Sequence, residues 1–71
     1  MAKERVRWVG RAVGQTDDFG RPIRRVFVDG LTKSGQWKIM SPESHAKEGV
    51  GIGTGRGQRY ENINGTWYKT E

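Results

Sequence analysis

The chain contains no cysteine, one histidine and only two prolines. Without cysteine there is no disulfide framework, no thiol nucleophile and no His/Cys metal cluster, since His45 would stand alone. Nowhere do about 18 apolar residues run together. The opening stretch from Met1 to Arg7 is charged, with no apolar run behind it, so neither a signal peptide nor a membrane span is expected. These absences point to the cytoplasm and exclude a membrane partner.

Length limits the reading further. With 71 residues the chain is one small domain, 1–71, with no room for a cofactor domain beside a substrate domain. A domain of this size buries only about 60% of the surface its unfolded chain exposes, so most large apolar side chains are needed to hold it together. Function must then come from one surface. The serines at 34, 41 and 44 sit in turn or cap contexts. Ser44 precedes His45 directly, but neighbouring helical residues project about 100° apart, so the two do not form a nucleophile and base. Asp18-Phe19-Gly20 is a turn, and Asp17-Asp18 falls short of the six to eight oxygens that calcium takes, so hydrogen bonding within the loop is its expected role. No catalytic residue, metal or cofactor is expected, and the protein is not read as an enzyme.

Basic charge and glycine are what the sequence has in quantity. Lys and Arg number 13 against 8 Asp and Glu, a formal net charge of +5, and glycine numbers 11. The excess is uneven: residues 1–35 hold eight basic and four acidic side chains, residues 36–71 five and four. Such an imbalance favours a polyanionic partner.

Periodicity predicts mainly β structure. Arg5 to Val13 is expected as a first strand, with Val6, Trp8 and Ala12 on one face and the arginines on the other. Gly14 to Pro22 has the composition of a loop. Ile23 to Val28 follows as a second strand, whose run Val26-Phe27-Val28 predicts a central position covered on both faces. A turn region from Asp29-Gly30 to Ser34-Gly35 leads into a third strand, Gln36 to Met40. Ser41 as N-cap, Pro42 at the first helical position, Glu43 in the first turn and Gly49 as a left-handed stop mark one short helix, expected to dock through Ala46 with His45 beside it. Asn64-Gly65 between Arg59–Asn62 and Thr66–Lys69 marks a closing hairpin. Between helix and hairpin, glycine occupies every odd position from Gly49 to Gly57. That ribbon is either closely packed backbone or, as expected here, a flexible segment over 49–57.

The order of three strands, a short helix and two strands matches a small five-stranded barrel of the OB type, and an SH3-like barrel fits nearly as well. The expected core is Trp8, Phe27, Ile39 and Trp67. The function that fits the charge is a basic nucleic-acid-binding module in which arginines neutralise phosphates and flat rings stack on bases, with weak sequence preference and a single-stranded or backbone-read target. Its candidate residues are Arg5, Arg7, Arg11, Arg24, Arg25, Lys38, Arg56 and Arg59, with Trp37 and Tyr60 as stacking platforms. OB-type geometry would put Arg24, Arg25, Trp37 and Lys38 at the centre of the binding face. The alternative is a small accessory protein, an adaptor or inhibitor of the kind phages and mobile elements encode, docking on another protein by an edge strand or its Trp and Arg residues.

Overall fold

The structure, a computed structural model, describes residues 6–70. Four strands and one helix follow in the order β1 (Val26–Leu31), β2 (Trp37–Met40), α1 (Pro42–Glu48), β3 (Gly57–Ile63) and β4 (Thr66–Lys69). All pairings are antiparallel, in the spatial order β2-β1-β3-β4, and the sheet is open.

β1 is central, and both of its faces are covered. Phe27 and Val28 are consecutive, so they point to opposite sides, yet they are 0% and 1% exposed. On Phe27's side lies the main core of Ile23, Ile39 and Tyr60, with Trp8, Val13 and Trp67 packed against it. Phe27 and Tyr60 stack with centroids 5.1 Å apart, and the rings of Trp8 and Trp67 meet Phe27 edge-on at 5.2 and 4.8 Å. On the other side Val28 faces Met40 across the β1–β2 pair, and α1 packs over both strands. Of the expected core residues, Phe27 and Ile39 are fully buried, while Trp8 and Trp67 are half-buried around them.

The first expected strand does not form. Arg5 lies outside the described residues, and from Val6 to Val13 the backbone meets the sheet at the Arg7–Tyr68 bridge, with the Trp8 N–H donating to Trp67 O at 2.9 Å and the Lys69 N–H donating to Val6 O at 2.7 Å. The strand stops there because Trp8 folds back: its indole Nε1–H donates to Arg11 O at 2.7 Å, and its ring lies over Gly10, where a Cβ would fall 2.3 Å from Cζ2. Val9 is left almost wholly exposed. The described residues thus form a four-stranded open sheet rather than a five-stranded closed barrel.

The second expected strand is shifted. It begins at Val26 and runs through Asp29-Gly30, which pair with Ile39 and Lys38 on one side and Gln58 and Gly57 on the other instead of turning. The turn comes at Thr32, whose N–H and hydroxyl both donate to Gln36 O, with Gly35 at φ 86°. The hairpin forms at the expected place: Asn64 and Gly65 both have positive φ, 53° and 87°, as a two-residue turn requires.

Ser41 caps α1 as expected, its hydroxyl accepting from Ser44 N–H at 3.2 Å. Two details differ. Ala46 is exposed and the helix docks through Ser44, which is fully buried. Gly49 is extended, at φ −81°, rather than left-handed. Glycine is needed there for space, since a Cβ would lie 2.2 Å from His45 Cδ2.

Candidate nucleic-acid interface

One buried carboxylate organises the region where β1 begins. Asp17 Oδ1 accepts the N–H groups of Phe19 at 2.9 Å and Arg21 at 2.8 Å, and Oδ2 accepts the N–H of Ser41 at 2.8 Å. Burial pushes this carboxyl up, but the Ser44 and Ser41 side chains and the backbone N–H groups more than offset it and hold the pKa at about 2. The expected loop hydrogen bonding is therefore present, and it also reaches the cap of α1. Arg21 reinforces the tie through Nη1, which donates to Ser44 Oγ at 3.0 Å, and the loop narrows to a Thr16–Pro22 bridge with Ile23 N–H donating to Gln15 O.

Arg24 and Arg25 emerge from this anchored loop directly into β1. Together with Pro22, Val26, Ser41, Pro42 and Glu43 they line an open groove of about 330 Å³. Both arginines are exposed, and neither has an ion pair or side-chain hydrogen bond with a described residue. Arg25 is fixed by its carbonyl, which accepts Asn62 N–H at 2.8 Å. The groove therefore offers two guanidinium groups beside an apolar floor, with Glu43 as the one acid in its lining.

The expected central face is split. Trp37 and Lys38 pair with Leu31 and Gly30, at the far end of β1 from Arg24 and Arg25. At about 3.3 Å per residue the strand between them spans roughly 17 Å. Arg56 belongs to this far end: its carbonyl accepts Leu31 N–H at 2.8 Å, and its guanidinium lies over Gly51 and Gly53, whose φ values of 122° and 132° suit glycine. Trp37 is 53% exposed, so it presents the ring that the sequence suggested. Tyr60 does not. It is 5% exposed and stacked on Phe27, with its hydroxyl donating to Gln58 Oε1 at 3.1 Å, so it is a core residue and not a stacking platform.

The remaining candidates lie apart from both clusters. Arg11 is ion-paired with Asp18. Asp18 in turn receives Ile39 N–H at 2.8 Å and donates its own N–H to Ile39 O at 3.0 Å, which caps the outer edge of β2. Burial raises the Asp18 carboxyl, but the Arg11 and Ile39 hydrogen bonds and the nearby positive charge bring it below its ordinary value. Arg7 stands exposed beside β4, Arg59 is half-buried opposite Val28 at mid-sheet, and Arg5 is outside the described residues.

Asp29, taken from the sequence as a turn residue, is half-buried on the same face as Phe27 and Leu31. Burial raises its carboxyl above the ordinary value, with the charge of Arg11 pulling part of the way back. The Tyr60 phenol is raised as well, by burial and by the charge of Asp29. The alternation Phe27-Asp29-Leu31 carried the signal for this placement, but Asp-Gly chemistry pointed to a turn. No group of three or more His, Cys, Asp or Glu side chains able to hold a metal occurs among the described residues, and no helix there is long and apolar enough to cross a membrane. No protein-family model, curated protein sequence or solved structure matches the chain.

Proposed function

We propose that the protein is a small non-catalytic nucleic-acid-binding module that holds the sugar-phosphate backbone electrostatically. The observation that carries this reading is the pair Arg24 and Arg25, exposed and without an ion pair to a described residue at the mouth of an open groove, on a domain of net charge +5. Guanidinium forks match phosphate oxygens, and the anchored loop holds their backbone in place before a ligand arrives. At the other end of β1, Lys38 projects to the same side as Val26, which lines the groove, and Arg56 adds charge there, so a strand crossing that face would meet charge at both ends; Trp37, next to Lys38, projects to the Phe27 side. In fold terms, the proposed ancestral plan is an OB- or SH3-like barrel, with the non-strand run from Val6 to Ile23, bonded to β4 at its start and to β2 through Asp18, in the position a fifth strand would take.

Gel shifts with single- and double-stranded DNA and RNA at two salt concentrations test the proposal. Binding should weaken steeply with salt, and Arg24→Ala with Arg25→Ala should reduce the log–log slope by about 1.4 to 1.8, two contacts at 0.7 to 0.9 each. No binding to any nucleic acid at low salt would refute it. A protein-docking role is the second reading, favoured by one observation: Trp37 is exposed on an edge strand.

A further inference from the structure

Beyond the part covered by Trp8 and Ile23, the face of the sheet that bears Phe27 carries groups that the fold leaves unused. Phe27, Asp29 and Leu31 project to one side of β1. Ile39 of β2 and Gln58 of β3 stand directly opposite Asp29, and Trp37 stands opposite Leu31. Directly opposed Cβ atoms lie about 4.5–5.5 Å apart, and diagonal neighbours about 7–8 Å, within reach of aromatic and long side chains. Trp37 is diagonal to Asp29, so ring, carboxylate and amide border one area of the sheet.

Each of the three has capacity to spare. Trp37 is 53% exposed. Asp29 is half-buried, yet it accepts no hydrogen bond and joins no ion pair with a described residue. Its oxygens remain open, because among the described residues no buried side-chain oxygen or nitrogen lacks a partner. Gln58 Oε1 accepts the Tyr60 hydroxyl at 3.1 Å, which orients the amide and leaves its NH₂ group as donor. The charge of Arg11 offsets only part of the cost of desolvating this carboxylate, and no described residue hydrogen-bonds to it.

The geometry points to a base-binding subsite made of Trp37, Asp29 and Gln58 that takes an unpaired guanine from a single strand. The base stacks on Trp37, its N1–H and N2 amino group donate to the two oxygens of Asp29, and the Gln58 amide donates to O6. Guanine is the one common base whose pairing edge presents two adjacent donors beside an acceptor; adenine, cytosine and thymine each face the carboxylate with an acceptor. A cationic side chain also suits a carboxylate beside a ring, but a domain of net charge +5 repels a basic peptide and attracts a polyanion. This subsite rests on the nucleic-acid reading above and narrows it.

Two measurements test the subsite, and they separate its failure from that of the wider reading. The first titrates 15N-labelled protein with 5′-GMP, 5′-IMP and 5′-AMP and follows the Trp37 indole and Gln58 side-chain NH signals. The second measures anisotropy of short oligothymidylates carrying one central guanine, hypoxanthine or adenine. Guanine should bind about tenfold or more tightly than hypoxanthine, which lacks the N2 donor. Asp29→Asn should abolish that difference while leaving the salt dependence of oligothymidylate binding intact, and Trp37→Ala should weaken every oligonucleotide by about tenfold or more. If Asp29→Asn fails to fold, Gln58→Ala replaces it, with a reduced preference for guanine expected.

Equal affinity for the three bases, or a guanine preference that survives Asp29→Asn, overturns the subsite. So does tighter binding of an arginine peptide than of GMP. Discrimination of GMP from IMP without any oligonucleotide binding would keep the subsite and overturn the backbone reading; loss of both overturns both.

Discussion

Replacing Asp17 by asparagine should remove the tie between the loop before β1 and the cap of α1. The carboxylate is 6% exposed and accepts three backbone N–H groups, from Phe19, Arg21 and Ser41. An asparagine keeps one oxygen for the first two but turns its NH₂ group toward the Ser41 N–H, leaving a buried donor facing a donor. Holding the carboxyl at about 2 instead of 3.8 corresponds to about 2 kcal/mol of stability. A depressed carboxylate contributes fully above its unfolded pKa and loses the contribution as pH falls through the folded one. The wild type should therefore exceed Asp17→Asn by about 2 kcal/mol at pH 7, and the gap should close between about pH 4 and pH 2. A domain of this length has roughly 4 to 10 kcal/mol in total, so urea unfolding at pH 7, 4 and 2.5 resolves the difference. If Asp17→Asn matches the wild type at pH 7, or a constant gap persists down to pH 2, the carboxylate is not the clamp described.

Three further outcomes are expected. Trp8→Ala should cost about 3 kcal/mol, because it removes edge contacts to both Phe27 and Tyr60, and a thermal melt unchanged from wild type would show that the ring is dispensable. Gly57→Ala should lower the melting temperature, since its Cβ would lie 3.0 Å from Gly51 O and 3.2 Å from Gly30 Cα; Gly14→Ala, with no atom within 4 Å, should leave stability unchanged or slightly raised. In the free protein, NMR order parameters should be lowest at exposed Thr54 and Gly55, below about 0.6, and approach 0.85 at Gly57, where backbone packs on backbone; uniform rigidity from Gly51 to Gly57 would refute this.

The parts of this fold most legible in the sequence were those specified by local chemistry. Ser41-Pro42-Glu43 starts a helix and Asn64-Gly65 makes a turn almost regardless of surroundings, and the apolar run Val26-Phe27-Val28 marks a strand covered on both sides. Long-range choices were hidden. Trp8 shares a face with Val6 and Ala12 in an extended chain, but its preference for the Gly10 surface and for Arg11 O breaks that pattern. Asp29-Gly30 carries turn chemistry that pairing on both sides overrides. Tyr60 shares its face with Gln58 and Asn62, polar neighbours that disguise a residue buried against Phe27. The arginines were legible as charge, but their separation into two ends of the sheet follows from register, which composition does not encode.

The bridging of both sheet edges by a single run of chain also bears on how the domain comes to be folded. Val6 to Trp8 close on β4, and Asp18 closes on β2, so the two unpaired edges are shielded by residues that precede every strand they shield. The contacts to β4 span nearly the whole described chain and form only once Tyr68 and Lys69 have been synthesised. The hairpins and helix, built from near neighbours, are free to assemble earlier. High-separation contacts slow the approach to the native state. During that interval the nascent sheet exposes bare edges to other chains, the usual route to aggregation. Crowded expression should therefore be tolerated less well by variants that weaken the Val6–Trp8 strap than their equilibrium stability alone suggests.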